Sequence, residues 1–526
     1  MSKRILIRSA SIISGATLLS RLIGFARVIL MAKVFGTGWI AQAFFVAFRI
    51  PNMLRDLAAE GASNAAFVPV FSEYLATKSR KEFWHLVGSV LVAFIAVIIC
   101  ITAAGVIFSP FIVRMIAPGF AETAQQLELT IAMNRVLFTY LILIALAAFC
   151  MAVLHSFKSF LAPALFPSVF NLVVIVALLC ADNSVAGIWK LVLGTMIAGV
   201  LQIAIQLPAL LRRGFRFRGN DQNARKTMQD IFRHPGVQKI GRLLLPRVMG
   251  TGIYQLNIFI DTIFASLSFL VGQGAIAAIV YATNLIQFPL GIFSTAISSA
   301  SLPVLSEMAA KNEKKNYAET LTFSLTNILF IMIPAGVGLM VLARPIITIL
   351  FERGQFDAYS SMITASALSF YAIGLAGYAA NKFLALCFNS LQDTVTPVKV
   401  SGLALALNFI LNIVFVVFFR AKIAGLALAS SLSAIIASVI LYRLLQKRIG
   451  SLDSLFLLRQ TKKMILASLA MTVAIAVLWR GAQPFVYMPV LLLLAVVVGI
   501  AVYCLVCWKL GVSQTGNLVR WIAKKK

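Results

Sequence analysis

Residues 84–109 read WHLVGSVLVAFIAVIICITAAGVIFS, 26 positions without one Asp, Glu, Lys or Arg. As a helix this run extends about 39 Å, enough to cross roughly 30 Å of hydrocarbon. Lys78, Arg80 and Lys81 lie just before it, and the next cation after it is Arg114. The pattern repeats along the chain. Of the 526 residues, 61% are hydrophobic and 12% charged, with mean hydropathy +0.95. Soluble domains hold about 45–50% apolar and about 25% charged residues, so disorder, fibrous repeats and a soluble enzyme are excluded.

Fourteen such runs are expected, near 10–33, 42–71, 84–109, 129–154, 161–181, 187–211, 243–271, 275–304, 319–343, 361–388, 395–419, 423–443, 464–480 and 486–508. Polar residues, Gly or Pro interrupt the second, seventh, eighth and tenth. With the N-terminus in the cytoplasm, 31 of the 46 Lys and Arg fall in inner segments, 7 in outer segments and 8 within spans. Positive charge prefers the cytoplasmic side, so both termini are expected there. The net charge of +29 then reports topology, and nucleic acid is not an expected partner. The first run lacks a cleavage signature and is expected to remain as helix 1.

An internal repeat accompanies the spans. Pro69-Val70-Phe71-Ser72-Glu73 returns 234 residues later as Pro303-Val304-Leu305-Ser306-Glu307, and Pro163 returns as Pro397. Arg212-Arg213 matches Lys447-Arg448 one residue further on. The expected organisation is an all-α polytopic membrane protein with two six-helix lobes, 1–213 and 243–448. A basic cytoplasmic linker, 214–242, joins them, and 449–526 adds two helices and a basic tail. An even number of spans per copy gives both lobes one orientation, with a substrate site between them near the midplane.

The first two spans carry Arg21, Arg27, Arg49, Arg55, Asp56 and Glu60. Each costs roughly 2.5–3.5 kcal/mol in a bilayer centre unless it meets water or a partner. Arg49, Asp56 and Glu60 fall within about 40° on an ideal helix, whereas Arg21 and Arg27, like Arg49 and Arg55, stand about 120° apart. Pro51 offers a bend. Four guanidinium forks against two carboxylates suit a phosphate or pyrophosphate; arginines that snorkel or bind carbonyls are the structural alternative. In the second half Asp261 is a candidate ion or proton site, or equally an interhelical hydrogen-bond partner, while Asn284 and Gln287 make that lobe polar and nearly neutral. His85, His155 and His234 lie in loops or at span ends, so no metal site is expected. Cys504 and Cys507 match a redox spacing but read as packed thiols on a span. No nucleotide-binding loop, nucleophile elbow or paired-carboxylate site is present.

The segments Ser20-Arg21-Leu22-Ile23-Gly24-Phe25-Ala26-Arg27, Ala43-Phe44-Phe45-Val46-Ala47-Phe48-Arg49-Ile50-Pro51-Asn52-Met53-Leu54-Arg55, Ala59-Glu60-Gly61 and Ala66-Phe67-Val68-Pro69 strongly resemble the lipid II flippases of the MurJ/MviN family. Phe288-Pro289-Leu290-Gly291 and Thr396-Pro397 extend the likeness along the chain. The resemblance implies a fourteen-helix inner-membrane transporter of the MOP superfamily with a V-shaped cavity and no enzymatic step. It implies that helices 13 and 14 form a groove for an undecaprenyl tail. The family's essential cavity arginines match Arg21, Arg27 and Arg55, with a basic match at Arg49 and an acidic one at Glu60. Their implied role is to hold the pyrophosphate of lipid II while the lobes alternate between inward- and outward-open states.

Val28 and Gln42 replace acids common in the family, and Thr283, Asn284 and Gln287 replace an Asp-Arg pair and a Glu in helix 8. The remaining arginines must therefore do more, or the coupling differs. Substrate contacts are expected from Arg21, Arg27, Arg49, Arg55, Glu60, Asn284 and Gln287. No cofactor is expected, but coupling to an ion gradient or the membrane potential is. The expected partners are lipid II, membrane lipids and the cell-wall synthesis machinery. Another lipid-linked oligosaccharide, an O-antigen or exopolysaccharide unit, is the alternative cargo. A drug antiporter would want twelve spans and an acidic cavity, a membrane glycosyltransferase or lipid phosphatase clustered carboxylates or histidines, and a scaffold no site at all.

Overall fold

The computed structural model describes residues 3–56, 66–215, 231, 233–450, 452–483 and 486–516; among them there are helices and no strand. By packing, the chain falls into two units, 1–267 and 268–526. This division differs from the lobes set by the repeat, because the seventh long helix packs with the first unit.

The first unit contains α1 (Lys3–Phe35), α2 (Trp39–Asp56), α3 (Val68–Thr77), α4 (Arg80–Ile107), α5 (Ser109–Ile116), α6 (Ala124–Ser156), α7 (Leu161–Leu179), α8 (Val185–Ala204), α9 (Leu207–Arg212) and α10 (Pro235–Ser266). The second contains α11 (Ala275–Pro289), α12 (Thr295–Ala310), α13 (Lys314–Val341), α14 (Ala343–Phe351), α15 (Ala358–Ile373), α16 (Leu375–Ser390), α17 (Val395–Asn412), α18 (Lys422–Ile449), α19 (Ser454–Ala482) and α20 (Met488–Lys509). A π-helical turn at Leu290–Ser294 joins α11 to α12, and another at Ile413–Phe418 extends α17.

Local chemistry sets the helix ends. Ser79 caps α4, its hydroxyl accepting from the Glu82 amide at 3.2 Å. Asp357 and Asp453 cap α15 and α19 in the same manner. Gly450, at φ 82°, ends α18 with its N–H on the Gln446 carbonyl at 2.8 Å, a left-handed conformation that favours glycine.

Ten helical stretches among the described residues are long and apolar enough to cross a membrane. The count is eleven when α15 and α16, bent by 47° at Gly374, form one span. The other three expected spans coincide with α1, with α2 plus α3, and with α10. These segments carry the candidate residues Arg21, Arg27, Arg49, Arg55 and Asp261. Several helix starts recur at one spacing: α4, α5, α6 and α7 begin at 80, 109, 124 and 161, and α13, α14, α15 and α17 at 314, 343, 358 and 395, each 234 later.

Apolar side chains alone give little drive for association in lipid, so small and polar residues supply it. In the first unit α6 packs against α2, α4 and α8. Asn134 on α6 donates to the Ala47 carbonyl of α2 at 2.7 Å and accepts from the Ser109 hydroxyl at 2.7 Å. Gln202 and Gln206 donate to the carbonyls of Phe166 and Ala147 at 3.0 and 3.1 Å. In the second unit the Tyr317 hydroxyl donates to the Cys387 carbonyl at 2.9 Å, and the Ser433 hydroxyl to that of Ala404 at 2.6 Å. Gly374 sits so close to α18 that a Cβ there would lie 2.7 Å from the Ser431 Cα.

Candidate functional site: a cationic cluster on the first two helices

Helices α1 and α7 pack closely, and so do α2 and α6. Asn171 on α7 donates to the Ser20 carbonyl of α1 at 3.2 Å, one residue before Arg21. Gly24 makes this approach feasible, since a Cβ there would stand 3.1 Å from Asn171 Nδ2. The contact fixes the segment that presents Arg21 and Arg27, both partly buried.

Arg27 lies over the Phe170 ring, its guanidinium carbon 5.5 Å from the centroid. A ring face stabilises a desolvated cation. Phe170 belongs to a row of rings running from α2 through α6 to α7: Phe44–Phe48 at 5.8 Å, Phe48–Tyr140 at 6.0 Å and Tyr140–Phe170 at 6.1 Å. The buried Arg27 Nε makes no hydrogen bond among the described residues. Arg55, in the last turn of α2, sits close enough for its positive charge to bear on Arg27. Two like charges and an unsatisfied buried donor are costly together, and an anion would relieve both.

Arg49 has a different partner. Its Nη2 donates to the Thr262 hydroxyl of α10 at 3.0 Å, and that hydroxyl donates to the Ile258 carbonyl at 2.6 Å. The 120° between Arg49 and Arg55 is thus used: one side chain meets α10 and the other bears on Arg27. Asp261, partly buried, precedes Thr262 on α10. Glu60 lies outside the described residues, as does the side chain of Asp56, so the Arg49–Asp56–Glu60 cluster does too.

In the second unit Asn284 donates to the Val280 carbonyl of its own helix at 2.8 Å, Thr283 likewise to Ile279 at 2.7 Å, and Gln287 is exposed. A lysine also stands within the bent helix pair of the second unit. Lys382, within α16, donates from Nζ to the Thr295 hydroxyl at 3.1 Å, just past the π-helical turn. The sequence signal for it is a lone Lys inside the apolar run 361–388. Among the described residues no three His, Cys, Asp or Glu are grouped to hold a metal.

The family model described as "Lipid II flippase MurJ" matches residues 31–497. This chain belongs to the MurJ family. A probable lipid II flippase MurJ of Rhizobium tropici is 32% identical, covering 99% of this chain and 97% of its own length. The lipid II flippase MurJ of Burkholderia cenocepacia is 33% identical, with 84% of each chain covered. Among solved structures, a lipid II flippase MurJ in an inward closed conformation matches with TM-score 0.77 at 26% identity, over 94% of this chain and 97% of that one. An inward-facing MATE multidrug transporter of the MOP superfamily shares the fold, with TM-score 0.64 at 14% identity over 82% and 94%. The arginine-bearing α2 lies within the span matched by the MurJ model, and Arg21 and Arg27 lie shortly before its first matched residue.

Proposed function

We propose that this protein is a lipid II flippase, moving the undecaprenyl-pyrophosphate-linked peptidoglycan precursor from the inner to the outer leaflet of the bacterial inner membrane. The observation that carries the reading is the buried, unbonded Nε of Arg27 beside the charge of Arg55. That site is under-coordinated for a protein at rest and suited to a pyrophosphate. Membership of the MurJ family supports the choice of lipid II over other lipid-linked glycans.

The chemistry is transport and breaks no covalent bond. Moving the headgroup costs mainly the desolvation of pyrophosphate and sugars. Guanidinium forks replace part of that hydration, while the isoprenoid tail stays in lipid. Arg27 and Arg55 would grip the pyrophosphate. Arg21 would join from the preceding turns of α1, and Arg49, held by Thr262, would couple α2 to α10. Glu60, Asn284 and Gln287 are assigned to the glycopeptide, and Lys382 to a second anionic contact.

The protein would expose this site alternately to each side of the membrane. The 234-residue recurrence of helix starts supports two copies of a six-helix unit followed by two further helices, fourteen spans in all, and the distribution of Lys and Arg supports cytoplasmic termini. The driving force follows from charge. An inside-negative potential favours outward movement of an anion by about 2.3 kcal/mol per charge per 100 mV. Asp261, next to the Thr262 that holds Arg49, is the candidate for ion or proton coupling.

The test uses bacteria depleted of their own lipid II flippase and expressing this chain. Lipid II reaching the outer leaflet is measured by its cleavage with a periplasmic lipid II-degrading toxin. Restored cleavage that is lost in Arg55→Ala is expected. No cleavage from a well-inserted protein would refute the reading in favour of another lipid-linked glycan or a scaffold.

A further inference from the structure

Within the second unit, an apolar cavity of about 450 Å³ lies between α13, α16, α18 and α19. Its origin is a divergence in packing. Helix α19 packs on α13 and α20, joined through Met464, Ala467, Met471, Ile475 and Ala495, whereas α18 packs on α15, α16 and α17. The gap between α18 and α19 is floored by α13 and α16. It opens sideways at Val439 and Ile465, which are 53% and 46% exposed. Its size is that of a small-molecule pocket, roughly 300–1,000 Å³.

One end of this cavity is polar. Tyr442 and Thr461 line it there, and the Tyr442 hydroxyl lies 3.3 Å from the Ser454 hydroxyl. The lining stripe Ile435–Val439 on α18 continues four residues on to the exposed Arg443, and Lys462 follows Thr461 on α19. Between 443 and 463 stand six Lys and Arg against one acid, Asp453. Asp453 is occupied as the cap of α19, and the nearby Asp393 pairs with Arg448. Positive charge is therefore in excess at the polar end of an apolar, laterally open slot.

We propose that this slot binds an anionic diacyl phospholipid, with an acyl chain between α18 and α19 and the phosphate at Arg443 and Lys462. The charge complementarity selects the occupant: a neutral lipid would leave the cations unmatched, and a zwitterionic one would bring its own cation to an already cationic surface. The proposal does not depend on which glycolipid the protein carries.

The test is photo-cross-linking of the full chain in phosphatidylcholine nanodiscs containing a trace of phosphatidylglycerol with a diazirine in its acyl chain. A phosphatidylcholine probe carrying the same diazirine is the control, and labelled peptides are mapped by mass spectrometry. The phosphatidylglycerol probe should label α13, α16, α18 and α19 around the slot well above the phosphatidylcholine probe. Arg443→Gln with Lys462→Gln should remove that excess, a loss of roughly 10- to 30-fold at about 1 kcal/mol per basic residue. Val439→Trp, at an exposed position that preserves folding, should block labelling by both probes. Equal labelling by the two probes in the wild type would overturn the proposal without recourse to any variant. Displacement of the probe by undecaprenyl phosphate but not by excess phosphatidylglycerol would also overturn it, assigning the slot to an isoprenoid tail.

Discussion

Replacing Arg27 by Ala separates a binding role from a structural one, because the two make opposite forecasts for stability. The substitution removes a cation–π contact at 5.5 Å from Phe170, worth about 0.5–2 kcal/mol. It also removes a buried donor that has no hydrogen bond, a cost of about 1–3 kcal/mol in the wild type, and lifts the repulsion from Arg55. These terms nearly cancel, so the folded protein should melt within a few degrees of the wild type. Lipid II has no such compensation. Losing one charge-assisted hydrogen bond to phosphate costs about 1.5–3 kcal/mol, or roughly 10- to 150-fold in affinity. Arg27→Lys keeps the charge but not the fork and should fall between. The assay is titration of purified protein in nanodiscs with fluorescent lipid II, alongside a thermal melt. Unchanged Kd, or a large loss of stability that accounts for all lost transport, would refute the reasoning.

Asn134→Ala leaves the Ala47 carbonyl without its partner in the α2–α6 contact and should cost about 1–3 kcal/mol, read as a lower melting temperature in detergent. Gly374→Ala drives a Cβ against the α18 backbone at Ser431 and should destabilise the second unit by about 1–3 kcal/mol; an undiminished melt would contradict the close packing at the α15–α16 bend. The Asp393 carboxylate is held below the ordinary carboxylate range, first by the Thr396 amide, then by the Thr396 hydroxyl and Arg448. Its folded pKa is lowered, so its stabilisation is complete above about pH 4 and fades as pH falls through the lowered value. Asp393→Asn should therefore reduce the melting temperature at pH 7, and the gap to the wild type should narrow in acid.

The apolar runs were legible because the bilayer imposes a length and a composition that few other environments demand. Spans such as 84–109 and 161–181 match α4 and α7 to within a few residues at most ends. The breaks were less legible. Nothing in the hydropathy around Gly374 announces a 47° bend, which arises where a glycine lets α18 approach. The π-helical turn after Pro289 likewise needs the neighbouring helices to be specified. For the site, residue type and charge balance identified the arginines, while their division of labour required geometry. Sequence angles put Arg49 and Arg55 about 120° apart but could not show that Thr262 stands on one side and Arg27 on the other.

The same logic bears on the long helices that carry the candidate arginines. A helix can hold a cation at membrane depth only when something else contributes to its solvation. For Arg27 that contribution comes from an aromatic face, and for Arg49 from a hydroxyl on α10. The ring supplies no counter-charge to Arg27. A full carboxylate partner would satisfy Arg27 permanently and leave it no capacity for a passing phosphate, whereas a ring and a bare Nε tolerate the cation without saturating it. Introducing a carboxylate at Phe170 should then be worse for transport than removing the ring. Phe170→Glu would pair Arg27 and block lipid II binding, and Phe170→Leu would weaken binding only several-fold. Equal transport by the two variants would show that Arg27 acts through bulk positive potential rather than as an unsaturated ligand.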